Sequence, residues 1–145
     1  MTKREAIDRP VLEGPRMYIL VRSDIYDLNP GKLGAQTGHA ASMLAKTVYS
    51  SPGDDNWHHY KEWEGDRGFG TKITLTATQE EIIGTLKYMD DLNLLCGKVV
   101  DPTYPFKNYF GEMFTAMELT VGYVFVPMDV DQEALDYLRQ FKLHP

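Results

Sequence analysis

The sequence predicts a layered α/β fold with a mixed four-stranded sheet. Three observations predict it. Strand-like runs alternate with amphipathic helical stretches in the order β-α-(α)-β-α-β-β-α, the pattern of α/β proteins. The first strand, Arg16-Met-Tyr-Ile-Leu-Val-Arg22, is almost wholly apolar inside, as a strand covered on both faces requires. Two helices open on explicit start signals, Asn29-Pro30 and Thr78-Gln-Glu-Glu81.

The elements follow in order. Residues 1–15 are polar and carry Pro10, Gly14 and Pro15, which predicts an arm ahead of one α/β domain over 16–145. After the first strand, Ser23 to Leu28 form a loop with two aspartates. Asn29 is a good N-cap and Pro30 suits the first helical position, so a helix starts there and runs to about Tyr49, before Ser50-Ser-Pro-Gly53. Gly34 and Gly38 cost that helix roughly 1 kcal/mol each relative to alanine, which suggests close approach to the sheet or another helix. A short helix is predicted over Trp57–Glu64 and a strand over Gly70–Ala77. A T-x-x-E capping box opens a helix from Thr78 to about Leu92, with Ile82, Ile83, Leu86 and Met89 as its apolar face. Leu94–Val100 is a third strand, Asp101–Gly111 a loop, and Phe114–Pro127 a fourth strand. A last amphipathic helix covers Val130–Phe141, with Asp129 or Asp131 as its cap.

Composition narrows the function classes. At 145 residues, 43% hydrophobic and 25% charged, the chain is an ordinary single-core domain. No apolar run approaches the roughly 20 residues of a membrane span, and the N-terminus has no signal-peptide core. The single cysteine, Cys96, excludes an intrachain disulfide and fits a reducing, cytoplasmic setting. A net charge of −6 argues against nonspecific coating of nucleic acid, which needs many Lys and Arg at phosphates. Yet residues 32 to 53 carry no acid, so a local cationic surface is compatible with the overall charge.

That acid-free stretch holds the most informative constellation. Lys32, Gln36 and His39 stand at i, i+4 and i+7 and project from one helix face near its N-terminus, the end that attracts anions. A second strand end carries Asp101; if the first and third strands are parallel, the two ends converge beyond the sheet, where α/β proteins bind ligands. Trp57, His58 and His59 have no partner at zinc-ligand spacing, so no metal and no cofactor is expected.

Arg22-Ser-Asp24, then Gly31-Lys32-Leu-Gly-Ala35-Gln36-Thr-Gly-His39-Ala40-Ala41, resembles the signature of the archaeal and eukaryotic class of peptidyl-tRNA hydrolases. Trp63-Glu64, the strand over Gly70–Leu75, Asp101, and Thr120-Val121 to Pro127 extend the resemblance over most of the chain. It implies a three-layer α/β/α fold with helices on both faces of the four-stranded mixed sheet. It also implies a cytoplasmic hydrolase of the ester joining a peptide to tRNA. The chain departs from the signature at Pro30, where the family usually has another lysine, and over 102–113, which is longer and aromatic.

Ester hydrolysis needs a positioned water, a proton acceptor and donors for the developing oxyanion. With no Gly-x-Ser-x-Gly and no Cys–His pair, direct attack by water is simpler than a covalent intermediate. The resemblance implies catalytic roles for Lys32 (phosphate or oxyanion), Gln36 (water or carbonyl), Asp101 (polarising water or orienting Lys32) and His39 (chemistry or a bond to the sheet). A reactive-site threonine is implied, with Thr103 and Thr115 as candidates. The substrate-binding residues expected are Arg22, Asp24, Gly31, Thr103, Tyr104 and Lys107, Asp24 alternatively bracing the turn or capping the helix. Tyr104, Phe106, Tyr109 and Phe110 either stack on terminal bases or pack on themselves. The rival expectation is a non-catalytic binding module on the same fold. The apolar content of the last strand and helix would permit a homodimer.

Overall fold

The computed structural model describes residues 14–25, 28–127 and 132–145. Within them β1 (Arg16–Arg22) leads to α1 (Pro30–Tyr49) and α2 (Asp55–Gly65). Then come β2 (Lys72–Ala77), α3 (Gln79–Asp91), β3 (Cys96–Lys107), β4 (Met113–Val126) and α4 (Gln132–Leu138). The strand order is β2-β1-β4-β3. β1 runs parallel to β2 and antiparallel to β4, and β4 is antiparallel to β3, so β1 and β3 point the same way. The mixed four-stranded sheet is therefore as predicted.

Two hydrophobic cores make the three layers. Ala40, Leu44 and Val48 of α1 and Tyr60 and Trp63 of α2 pack on Met17, Ile19, Val21, Val121, Tyr123 and Phe125. On the opposite face Ile82 and Met89 of α3 and Ala134 and Leu138 of α4 pack on Tyr18, Leu20, Val124 and Val126. Alternating residues of β1 serve the two cores, which is why its sequence reads as continuously apolar. No helix among the described residues is long and apolar enough to cross a membrane.

The helix starts form as their sequences require. Asn29 Oδ1 accepts the Lys32 amide at 2.9 Å. Thr78 and Glu81 complete a reciprocal capping box. α2 begins two residues earlier than expected because Asp54 caps it, accepting the Trp57 amide at 2.7 Å. β2 begins at Lys72, since Gly70 is in a left-handed turn with φ +75°. The expected caps of the last helix, Asp129 and Asp131, lie outside the described residues; the helix itself is shorter, Gln132–Leu138.

Two expectations are overturned. The segment 101–111 is not a loop: β3 continues through it to Lys107 and pairs with β4 as a hairpin closed at Asn108–Glu112. Its two prolines are tolerated because β3 is a sheet edge, where a missing N–H leaves no neighbour unpaired. Nor do Gly34 and Gly38 mark close packing. Both are exposed, and a Cβ at either would meet nothing within 4 Å. The close approach occurs at Gly122 of β4, where a Cβ would lie 2.7 Å from the Ile82 side chain of α3.

The free edge of β2 is covered by the chain end. The Thr76 amide donates to Lys142 O at 2.8 Å and the His144 amide to Thr74 O at 2.8 Å. A fifth, short antiparallel segment thereby blocks one edge from pairing with other chains.

Candidate active site

The C-terminal end of β1 feeds α1, and the Asn29 cap fixes where the helix begins. The first turn of α1 contains no acid to offset the positive end of its dipole. Lys32, three residues past the cap, bends toward β3: its Nζ donates to the Pro105 carbonyl at 2.7 Å and lies 5.3 Å from the centre of the Tyr104 ring. Tyr104 is completely buried and forms the floor of this corner.

One turn on, Gln36 is only 3% exposed. Its Nε2 donates to Asp101 Oδ2 at 2.8 Å, and its Oε1 accepts from Thr120 Oγ1 at 2.7 Å. The carboxylate partner fixes the amide: an ionised carboxylate only accepts, so Nε2 must face Asp101 and Oε1 must face the hydroxyl. Asp101 Oδ1 accepts from the Thr103 amide at 2.9 Å and from its hydroxyl at 3.2 Å. Burial works against the Asp101 charge, but hydrogen bonds from Gln36 and Thr103, with help from His39, hold its carboxyl below the ordinary aspartate range. At neutral pH this is an ionised carboxylate oriented by a side-chain amide, a backbone amide and a hydroxyl.

Two bulges build the corner. On β3 the register slips between Asp101 and Tyr104, and on β4 Thr120 is the extra residue between the pairs Val99–Val121 and Val100–Leu119. Val99 and Asp101 face α1, so unbroken alternation would put Thr103 there next; the bulge puts Tyr104 there instead. Thr120 would otherwise share the α3 face with Val124, and the bulge sends its hydroxyl to Gln36.

The remaining expected residues fall in three places. His39 is exposed on the following turn of α1 and reaches Asp101 through its charge alone. Arg22 and Asp24 form a separate bracket. The Arg22 guanidinium donates to Asp24 at 2.9 Å, to Glu118 at 2.8 Å and to the Leu119 carbonyl at 3.0 Å. Asp24 also accepts the Gln79 amide at 3.1 Å, so it ties Arg22 to the start of α3 and neither braces the Lys32 turn nor caps α1, whose cap is Asn29. Gly31 is exposed in the first turn of α1, and Lys107 is exposed at the end of β3. Thr115 is not brought to the site. It pairs with Pro105, while its neighbours Phe114 and Ala116 pair with Phe106 and Tyr104 on the α1 side, which turns Thr115 to the other face.

Thr120 was not singled out from the sequence. Its signal was a hydroxyl inside the apolar run Leu119–Val126, because a buried polar group needs a partner. No cluster of potential metal ligands occurs among the described residues. Cys96 lies on the α3 side with its Sγ 3.5 Å from Leu86 O, and burial, reinforced by Asp90, pushes its thiol up to about 11. It is no nucleophile at neutral pH.

A family model described as peptidyl-tRNA hydrolase PTH2 matches residues 15–104. No curated protein sequence matches the chain. Among solved structures, the fold is similar to that of a protein of unknown function, Atu0240, from Agrobacterium tumefaciens strain C58. The TM-score is 0.53 at 10% identity, covering 91% of this chain and 98% of that one. That likeness concerns the fold alone.

Proposed function

Because the chain belongs to the peptidyl-tRNA hydrolase PTH2 family, we propose that it hydrolyses the ester between a peptide, or an N-blocked amino acid, and the terminal ribose of tRNA. The observation that carries this reading is the hydrogen-bonded chain Thr120–Gln36–Asp101 beside Lys32. It holds an ionised carboxylate rigidly, and three of its roughly four acceptor positions are engaged, leaving room for a water.

Water held by Asp101 attacks the ester carbonyl carbon. A carboxylate kept below its ordinary range is a weak proton acceptor, so Asp101 acts mainly by orienting and polarising the water. The carbonyl oxygen gains negative charge as the tetrahedral centre forms, and the Lys32 ammonium receives it. Lys32 exchanges its bond to the neutral Pro105 carbonyl for one to an oxyanion, which is the stronger charge-assisted bond. The C–O bond to the ribose then breaks, the ribose oxygen takes up the proton released by the attacking water, and a free carboxylic acid and tRNA leave. No covalent enzyme intermediate is needed.

The test is release of free tRNA from N-acetylated aminoacyl-tRNA at micromolar protein. Asp101→Asn and Lys32→Ala should each lower turnover by roughly 10²-fold or more, the scale of one lost electrostatic or proton-transfer contribution. Absence of turnover by the wild type overturns the reading. The alternative, a binding module on this fold, has one observation in its favour: the Lys32 ammonium already donates to the Pro105 carbonyl.

A further inference from the structure

We propose that the tip of the β3–β4 hairpin is a stacking platform for the unpaired nucleotides at the 3′ end of tRNA, an inference that rests on the hydrolase reading above. The hairpin extends beyond residue 104, where the family match ends. It starts at the site: Pro105 holds Lys32, and Tyr104 lies beneath it. Tyr104 and Phe106 are buried, so neither offers a free face to a base. The free faces lie further out. Phe114 stacks on Phe106 with ring centres 5.4 Å apart and is 47% exposed. Tyr109 is 96% exposed and Phe110 82% exposed, with rings edge-to-face at 5.6 Å.

Length suits single-stranded RNA, and the near absence of charge leaves stacking to carry the contact. The hairpin carries the chain about 13 Å from Tyr104 to the turn that opens at Asn108, at roughly 3.3 Å per residue, the rise of about four stacked nucleotides at about 3.4 Å each. The scissile ester sits on the last of those nucleotides, so the preceding bases must lie within this distance of Lys32. Residues 102–117 carry only Lys107 and Glu112 as charges, and the chain is net −6, so phosphate neutralisation supplies little. Aromatic faces bind any base, which a hydrolase serving many tRNAs requires. A second copy would draw on Met113 and Met117 as well, 59% and 70% exposed on the same hairpin, and the oligomeric state of the variant tests it.

The experiment measures anisotropy of a labelled single-stranded RNA ending in CCA on the full chain, with KM for N-acetylated aminoacyl-tRNA alongside. The double variant Tyr109→Ala, Phe110→Ala should weaken RNA binding by about tenfold or more and raise KM correspondingly. Tyr109→Phe, Phe110→Tyr should restore both, and wild-type binding should depend only shallowly on salt. RNA binding unchanged in the alanine variant overturns the platform, as does a dimer lost in that variant while RNA binding is kept. Absence of wild-type turnover defeats the hydrolase reading instead, and the anisotropy then judges the platform separately.

Discussion

The Gln36 amide nitrogen lies 2.8 Å from an Asp101 carboxylate oxygen, joining α1 to β3 across 65 residues of chain. Gln36 is buried at that contact, so its geometry is set by partners rather than by solvent. Thr120 supplies the other anchor at 2.7 Å. The carboxylate therefore has its orientation fixed from three elements, α1, β3 and β4.

Thr120→Val removes the hydroxyl at nearly constant shape and leaves Gln36 Oε1 buried without its donor. An unsatisfied buried acceptor costs about 1–3 kcal/mol. The expected result is a urea midpoint lowered accordingly and a fall in turnover, with Thr120→Ser restoring both. Turnover at the wild-type level in the valine variant would show that Gln36 needs no anchor.

Asp101 also predicts an acid response. Its folded-state pKa lies below the ordinary value, so the unfolded chain takes up the proton first as pH falls. The stability it contributes is complete above the ordinary aspartate range and is lost as pH drops through the lower folded value. Asp24, held down by Arg22 and the Gln79 amide against the cost of burial, behaves the same way. Urea midpoints measured between pH 7 and pH 2.5 should fall less steeply for Asp101→Asn than for the wild type.

The sequence exposed the helix face and set Asp101 opposite it, but concealed the Thr120 anchor. Asn29-Pro30, the capping box at Thr78–Glu81 and the apolar run of β1 act through contacts a few residues apart, and each formed as read. The glycines misled because a helical glycine signals only that something is tolerated or required, not which side needs it. Thr103, Tyr104 and Thr120 misled because a bulge changes which face a side chain serves, and no local residue pattern announces it. Prolines 102 and 105 read as loop formers, since edge position is a property of the sheet rather than of the segment.

Cys96 should resist alkylation. Its thiol is raised to about 11 by burial and Asp90, so little thiolate exists at neutral pH. Iodoacetamide should label the folded protein at pH 7.5 far more slowly than the urea-unfolded chain. Fast labelling of the folded protein would contradict the packing of Cys96 behind α3.

The glycines give a pair of opposite expectations. At Gly34 and Gly38 a methyl group enters open space on a helix, so Gly34→Ala and Gly38→Ala should each stabilise by up to about 1 kcal/mol. In a chain of this size that raises Tm by about 3 °C per substitution. Gly122→Ala should do the reverse, because its Cβ would stand 2.7 Å from Ile82 Cγ2 in a core where Ile82 is fully buried and cannot swing aside. The helix pair also reports on function. If substrate lies along the exposed face that carries Gly34 and Gly38, the alanine variants gain stability and lose kcat/KM for N-acetylated aminoacyl-tRNA. If that face is idle, they gain stability with kcat/KM unchanged. Melting curves and steady-state kinetics on the same preparations separate the two outcomes, and a fall in Tm for either helix variant would contradict the open surroundings of these glycines.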